Sequence, residues 1–234
     1  MKKVDINLKN IYLKYPVFSD TSKSLKKSIV DTLTGGKIST NEGIVCIEAL
    51  SNINLSLKKG DRLGLIGANG SGKTSLLRVI AGLIYPTKGE ISINGSINSF
   101  IDMNFGLNME ATGLENIKIR LILLGISLGK IDYYLSEISD FCELGKFLYM
   151  PIKTYSSGMV MRLGFSILAA VYSDIIIMDE WLSVGDEDFK SKAELKIERI
   201  ISNSPILILA SHDMNIINKW CNKVIKLDRG EISK

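Results

Sequence analysis

Five short motifs occur in a fixed order along this chain of 234 residues, and each carries polar side chains suited to phosphate chemistry. Glycines with a lysine, a serine before a helix, paired carboxylates and a histidine are groups that bind phosphates or activate water. In chain order they occupy residues 67–74, 155–159, 175–180, 183–186 and 211–213. These side chains must converge if they act together, so the elements that carry them matter as much as their types.

The first motif is a glycine-rich loop that predicts binding of a nucleoside triphosphate. Its glycines allow backbone N–H groups to converge on phosphate oxygens at the positive end of the following helix. Lys73 is placed to reach the outer phosphates, as a catalytic candidate, and the Thr74 hydroxyl to ligate Mg²⁺. An apolar strand, Arg62–Ile66, precedes the loop and a helix, Lys73–Leu83, is predicted after it. The nucleotide-binding residues predicted here are Gly67, Asn69, Gly70, Ser71, Gly72, Lys73, Thr74 and Ser75.

Two carboxylates follow the apolar strand Ile175–Met178, so both are expected at the carboxyl edge of a sheet. We assign Asp179 to the Mg²⁺ shell, through water, and Glu180 to the general base that polarises the attacking water. His212 is the only histidine and follows another apolar strand, Ile206–Ala210. It is a catalytic candidate that contacts the terminal phosphate or holds Glu180 and the water in register.

A second anion site is predicted where serines and a glycine precede a helix that begins near Met159. Ser156, Ser157 and Gly158 together with a helix N-terminus can bind phosphate. One chain does not need two phosphate sites for one nucleotide. We therefore infer that this site completes the pocket of another copy, in a head-to-tail dimer. An ordinary helix N-cap is the alternative.

The composition is that of a globular protein, with 46% hydrophobic and 23% charged residues. No run approaches the roughly 18 apolar residues that span a bilayer, and the N-terminus lacks a secretory signal, so we expect a cytoplasmic location. The three cysteines have neither metal-ligand nor disulfide spacing. The net charge of +4 is too small to argue for nucleic acid. Residues 1–30 concentrate seven lysines against two aspartates, which fits a solvated face or one near an anionic membrane.

Alternating strand and helix patterns predict an α/β fold with a parallel sheet covered on both faces. The first strand is expected at residues 3–15 as an edge strand, because apolar and polar residues alternate there. A turn and an amphipathic helix, Ser24–Leu33 (about residues 21–34), are predicted to interrupt the strands over residues 16–46, with strands resuming at Ile53–Leu57. The helical stretch 112–171 is interpreted as a second lobe inserted into the core.

Over residues 48–230 the five motifs, in this order and spacing, resemble the nucleotide-binding domain of an ATP-binding cassette (ABC) transporter. The resemblance implies one domain over residues 1–234, with a P-loop NTPase (RecA-like) core, an N-terminal antiparallel β subdomain and an inserted α-helical subdomain. It implies a sandwich homodimer with Mg²⁺ and two ATP molecules. Each ATP is held by the phosphate loop of one subunit and the signature loop, Tyr155–Met159, of the other.

The same resemblance assigns the remaining motifs. Ser183–Asp186 corresponds to the D-loop, with Asp186 at the nucleotide, and His212 to the switch histidine. An aromatic residue before the first core strand normally stacks on adenine in this family. Tyr15 is the candidate, with Tyr12 and Phe18 behind it, and an ordinary half-buried tyrosine is the alternative.

Two features depart from the family pattern. The chain contains no glutamine, so the usual Q-loop glutamine, which touches Mg²⁺, is missing. Asp102 stands at its place before residues 112–116 and is the predicted metal ligand there. The signature loop reads Tyr-Ser-Ser-Gly-Met, where most of the superfamily has a second glycine and a glutamine.

The chain resembles one branch, the ATPase subunits of exporters for O-antigen, capsular polysaccharide and teichoic acid. The resemblance rests on the signature loop with Arg162-Leu163, on residues 179–186 and 112–116, and on the inserted helix at Ser24-Leu25-Lys26. The resemblance implies a separate transmembrane permease, two copies of each subunit, and a lipid-linked polysaccharide moved outward through the permease. The chain would then lie peripherally at the cytoplasmic face of the inner (plasma) membrane. Nucleic acid is not an expected partner. Because the chain stops soon after its last strand, we expect no C-terminal carbohydrate-binding domain. A soluble ABC-type ATPase and a regulatory nucleotide switch remain alternatives.

Overall fold

The computed structural model describes residues 3–17, 37–41, 44–104, 106–180 and 187–233. Three predictions lie outside these residues. They are the amphipathic helix at Ser24–Leu33, a role for Phe18, and the D-loop at Ser183–Asp186 with its nucleotide contact from Asp186.

Strands and helices alternate through most of the described chain. The strands are β1 (Asp5–Val17), β2 (Lys37–Asn41), β3 (Ile44–Lys58), β4 (Arg62–Ile66), β5 (Lys88–Asn94), β6 (Ile97–Ser99), β7 (Ile175–Asp179), β8 (Ile206–Ala210), β9 (Lys223–Asp228) and β10 (Glu231–Ser233). The helices are α1 (Lys73–Ile80), α2 (Gly113–Leu123), α3 (Ile131–Cys142), α4 (Ser157–Ala170), α5 (Glu187–Asn203) and α6 (Met214–Trp220). Short 3₁₀ turns occupy Leu128–Lys130, Gly145–Tyr149 and Ile152–Thr154.

These elements form two compact units. The first contains the described parts of residues 1–97, 174–181 and 205–234, and the second those of residues 98–173 and 182–204. The predicted helical lobe, residues 112–171, falls inside the second unit, which also includes α5.

The N-terminal sheet of the first unit is antiparallel, with the order β2-β3-β1-β5. The prediction of β1 as an edge strand is wrong, because Asp5 pairs with Lys58 on one side and with Asn94 on the other. Alternating hydrophobicity reports that one face is buried, and Ile6 and Leu8 are indeed buried. It carries no information on whether the strand's hydrogen-bonding sides are occupied.

The break predicted between the first two strands is also longer than the one observed. β1 continues to Val17, β3 begins at Ile44 rather than Ile53, and β2 lies inside the predicted interruption. The paired segments at these strand ends, such as Val17 with Val45, support each other's extended backbone through ladder hydrogen bonds. A prediction made from each segment alone does not include the stabilisation by these hydrogen bonds.

The second sheet of the first unit positions the motifs. Its order is β10-β9-β4-β8-β7-β6, and β4 pairs in parallel with both β8 and β9, while β8 pairs in parallel with β7. Ala210 is in register with both Leu65 and Asp179. The chain therefore leaves β4, β7 and β8 at one edge, where ligands of open α/β sheets bind. The predicted parallel core is confirmed.

The second unit is helical around an apolar core. Ile117, Leu121, Ile138, Leu163 and Ile167 of α2, α3 and α4 are fully buried. α2 begins with a capping box in which Thr112 and Glu115 exchange hydrogen bonds. No helix among the described residues is both long and apolar enough to cross a bilayer.

Candidate nucleotide-binding site

The glycine-rich loop follows β4 and leads directly into α1, as predicted, although α1 ends at Ile80 rather than Leu83. Gly70 and Gly72 have left-handed backbone, with φ of 77° and 104°. A Cβ on Gly72 would lie 2.7 Å from the carbonyl oxygen of Ala49, so only glycine fits there. The crowding at Gly72 explains why the loop needs glycine at that position.

Lys73 points into the loop that precedes it. Its ammonium donates hydrogen bonds to the carbonyl oxygens of Gly67 at 2.8 Å and Ala68 at 3.1 Å, and the residue is buried. The charge is thus held at the centre of the loop, beside the N-terminus of α1.

The loop offers hydrogen-bonding groups that the described residues leave unused. The Ser71 hydroxyl is buried and has no hydrogen-bond partner within the described part of the chain. Gly72 occupies the N-cap position of α1, so no side chain caps the first turn of that helix. A buried hydroxyl, uncapped N–H groups and an ammonium together fit the oxygens of a phosphate group.

Main-chain bonds tie the loop to the strands beneath it. The Gly230 N–H donates to the Ser71 carbonyl at 2.9 Å, and the Gly230 carbonyl accepts from the Ser51 N–H at 2.8 Å. The turn between β9 and β10 therefore holds the loop against β3.

Thr74 and Asp179, the two predicted Mg²⁺ ligands of the first unit, are in direct contact. The Thr74 hydroxyl donates to the Asp179 carboxylate at 2.5 Å. A hydroxyl and a carboxylate are oxygen donors of the kind that Mg²⁺ prefers, and Mg²⁺ commonly uses only one or two carboxylates together with phosphate oxygens. The residues present therefore fit this ion.

Glu180 and His212 also meet at this edge of the sheet. His212 Nε2 lies 3.4 Å from Glu180 Oε1, and both side chains are about half exposed, 51% and 48%. The Glu180 N–H donates to the Ala210 carbonyl, and Glu180 has a left-handed backbone with φ of 68°. Such a conformation costs a non-glycine residue about 1–2 kcal/mol. The strained backbone of Glu180 and its contact with His212 thus occur at the same point of the sheet edge.

Ser211 is a partner of Glu180 that sequence reasoning missed. Its buried hydroxyl donates to Glu180 Oε2 at 3.3 Å and accepts from the Asp213 N–H at 3.1 Å. The sequence feature that could have indicated Ser211 is its position directly after the fully buried strand β8 and before His212. Glu180 therefore has a neighbour on each carboxylate oxygen.

Tyr15 lies close to the start of α1. Its hydroxyl is 3.5 Å from the Ser75 hydroxyl, and the ring is half-buried. This position near the phosphate loop agrees with either stacking on a base or an ordinary half-buried tyrosine, so adenine stacking stays a prediction.

The predicted second anion site begins α4. Ser156 is the N-cap, its hydroxyl accepts from the Met159 N–H at 3.3 Å, and the helix starts at Ser157, two residues before the predicted start. The N-cap alternative is thus present in the geometry. Phosphate binding by Ser156, Ser157 and Gly158 stays a prediction.

Asp102 is exposed and lies in the second unit. Burial lowers the pKa of the Arg120 guanidinium, and the nearby carboxylate of Asp102 opposes that shift. Arg120 is a neighbour that the sequence did not reveal. A metal role for Asp102 stays a prediction.

A glycine-rich loop after a parallel strand, a hydroxyl–carboxylate pair and an acid–histidine pair at one sheet edge define a P-loop nucleotide-binding domain. Comparison with known families narrows the class. The chain belongs to the ABC transporter family, which matches residues 50–183.

Curated relatives are named for export systems, which confirms the branch that the motifs indicated. The O-antigen export system ATP-binding protein RfbE of Yersinia enterocolitica is 41% identical, over 96% of this chain and 94% of that protein. The teichoic acids export ATP-binding protein TagH of Staphylococcus epidermidis is 36% identical, over 99% and 84%. The O-antigen export system ATP-binding protein RfbB of Myxococcus xanthus is 37% identical over 90% of this chain, which spans only 48% of that protein.

The fold matches solved ATP-binding cassettes. A dimeric post-hydrolysis cassette bound to ADP and Pi superposes with a TM-score of 0.70, covering 98% of this chain and 97% of that one at 22% identity. At 22% identity the likeness shows the fold alone, and this fold is the predicted P-loop NTPase architecture.

Proposed function

We propose that this chain is the ATP-hydrolysing subunit of an ABC exporter that moves a lipid-linked polysaccharide of the O-antigen type. The arrangement at one sheet edge carries the ATPase part of the proposal, and the relatives carry the export part. At that edge Glu180 contacts Ser211 and His212, and Thr74 contacts Asp179.

ATP would be held by its phosphates. The backbone N–H groups of the glycine-rich loop and the Lys73 ammonium are the donors for the phosphate oxygens. Thr74 and Asp179 would hold Mg²⁺, which supplies positive charge to the phosphate oxygens when bound. Tyr15, beside Ser75, would stack on the adenine.

Glu180 is the proposed general base. Its carboxylate lies at the carboxyl end of β7, where it can orient and polarise a water for attack on the terminal phosphate. Ser211 and His212 contact its two oxygens and limit its rotation. The left-handed backbone of Glu180 supports this role, since strained residues concentrate at functional sites.

The pocket would be completed by a second copy of the chain. Ser156, Ser157 and Gly158 at the N-terminus of α4 are the proposed donors for the nucleotide held by the other copy, with Asp186 contributing from the D-loop. A 14-residue helix with its positive end at these residues favours an anion there. ATP binding would then close two copies and hydrolysis would reopen them.

The transport role is inferred from the relatives. The Yersinia relative is named for O-antigen export and is matched over nearly its whole length, which favours O-antigen as the cargo class. Teichoic acid export is the second candidate, favoured by the staphylococcal relative. Two copies of a separate permease would bind the chain peripherally at the cytoplasmic face of the inner membrane.

Replacing Glu180 by glutamine tests the proposed reaction. We expect Glu180→Gln to keep ATP binding and to lower kcat at least about a hundredfold, because the amide is not a base. The variant should accumulate as an ATP-bound dimer. Steady-state phosphate release and sedimentation with and without ATP measure both effects.

Glu198→Gln is the matched control, since it makes the same chemical change on α5, remote in sequence from the motifs. It should hydrolyse ATP at the parent rate. Parent-like turnover by Glu180→Gln would overturn the general-base assignment.

A further inference from the structure

The first turn of α4 borders a cavity of about 550 Å³. Ser156, Gly158, Met159 and Arg162 line one side of it, and the turn formed by residues 143–147 lines the other. On that side the start of the helix is not fixed by close packing. Contacts elsewhere on the helix, such as that of Met159 with the apolar core, therefore help to determine where the N-terminal N–H groups of α4 point.

Arg162 provides such a contact. It lies four residues after Gly158, so the two share a face of the helix. The centre of its guanidinium is 4.7 Å from the ring centroid of Phe189 in α5, within the range of a cation–π interaction.

Phe189 is a firm anchor because it is buried in an aromatic cluster, defined here as Phe100, Phe141, Phe165 and Phe189. Only 1% of the Phe189 residue surface is exposed. Its ring meets Phe165 edge to face, with centroids 6.1 Å apart, and Phe141 with centroids 5.6 Å apart. The rings join α3, α4 and α5 within the second unit.

Ion pairs fix α5 beside α3 at the edge of the same cluster. Lys196 pairs with Glu137 at 3.0 Å and lies over the Phe141 ring, and Lys192 pairs with Glu143. The anchor that Arg162 meets is thus held by several contacts.

We propose that Arg162 is a positioning residue for the reaction. By stacking on Phe189 it fixes the direction of the first turn of α4, and with it the Ser156 hydroxyl and the N–H groups that meet the nucleotide held by the second copy. The inference rests on the proposed function. A planar guanidinium is suited to this role because it stacks on a ring, which a lysine ammonium does less well.

Kinetics of variants test the proposal. Arg162→Met should lower kcat about tenfold and leave KM for ATP within about twofold, because each ATP is bound first by the phosphate loop of its own copy. Arg162→Lys should lie between parent and Arg162→Met. Phe189→Leu should lower kcat in the same way, and the double variant should be no slower than Arg162→Met alone, because both changes remove one contact.

Arg199→Met is the matched control, since Arg199 is an exposed arginine further along α5. It should keep the parent kcat. Thermal unfolding of all variants separates a loss of stability from a loss of positioning. If Arg162→Lys keeps the parent unfolding temperature and also the parent kcat, or if the variants change KM rather than kcat, Arg162 is not a positioning residue.

Dimerisation in the Glu180→Gln background distinguishes this inference from the proposed function. With saturating ATP, adding Arg162→Met should raise the Kd of the dimer about tenfold, measured by sedimentation. An unchanged Kd beside a dimeric Glu180→Gln parent would overturn the role of Arg162 alone. A Glu180→Gln parent that stays monomeric with ATP would overturn the proposed dimer, and the role of Arg162 with it.

Discussion

Gly60 and Gly72 share a left-handed backbone, with φ of 94° and 104°, but their surroundings differ. A Cβ on Gly72 would meet the carbonyl oxygen of Ala49 at 2.7 Å, whereas nothing lies within 4 Å of a Cβ on Gly60. The same substitution at the two positions therefore separates backbone strain from crowding beneath the phosphate loop.

We expect Gly60→Ala to lower the free energy of unfolding by about 1 kcal/mol, the cost of left-handed alanine. Gly72→Ala should cost about 2–4 kcal/mol, because the loop must also move away from Ala49. That movement should weaken ATP binding at least about tenfold. Urea unfolding and titration with a fluorescent ATP analogue measure the two effects. Equal ATP affinity in both variants would contradict the argument.

At the scale of single residues, the sequence located candidate residues best where a motif is formed by neighbours along the chain. Lys73 and Thr74 were predictable from one loop, and Glu180 and His212 from their places after apolar strands. The contact of Arg162 with Phe189 and of Ser211 with Glu180 joins residues far apart in sequence. No local pattern specifies such pairs, because they depend on how the elements pack.

At the scale of elements, two segment starts in the second unit offer a comparison. Thr112 caps α2 by accepting from the Glu115 N–H at 3.2 Å and donates its own N–H to the Glu115 carboxylate at 2.8 Å. Ser127 occupies the N-cap of the 3₁₀ turn Leu128–Lys130 without a side-chain cap. Both hydroxyl residues are N-caps, but only the Thr112 side chain makes a capping hydrogen bond.

Thr112→Ala should therefore lower the free energy of unfolding by about 1 kcal/mol, the usual cost of a lost N-cap. Ser127→Ala should change it by less than about 0.5 kcal/mol, as expected for a surface substitution. Chemical denaturation followed by circular dichroism measures both. Losses of the same size would show that the capping box contributes nothing specific.

Helices and strands were predictable where a regular spacing of apolar residues extends over a long segment. They were unpredictable where strand pairing determines the position or the length of an element. The helix beginning near residue 112 and the buried strands β7 and β8 follow from apolar spacing. The interior position of β1 does not, because its partners come from residues 44–58 and 88–94. Strands as short as β6 and β10 depend on their neighbours for stability, and neither was predicted.

At the scale of the whole molecule, the proposed export role requires a membrane partner. The chain purified from its native membranes should bring down a permease in equal amount, and reconstitution with that permease should raise the ATPase rate several-fold. The glycan bound to the complex would identify the cargo. Lys73→Ala is the control, because it should co-purify with the permease yet show no turnover, mainly through weakened nucleotide binding.

Other outcomes of this experiment would favour the alternatives. Full turnover without any membrane protein, together with binding to nucleic acid or ribosomes, would indicate a soluble ATPase. Nucleotide-dependent partner binding with no hydrolysis would indicate a regulatory switch.

The main-chain bonds that tie Gly230 to Ser71 and Ser51 have a kinetic consequence. Because main-chain hydrogen bonds hold the phosphate loop in shape, the loop is already formed before ATP binds. Binding of ATP therefore involves little loss of conformational freedom. The rate at which ATP enters should then follow diffusion and charge attraction rather than a slow closing of the loop. In the proposed cycle, the slow step would then be the association of two protomers around ATP.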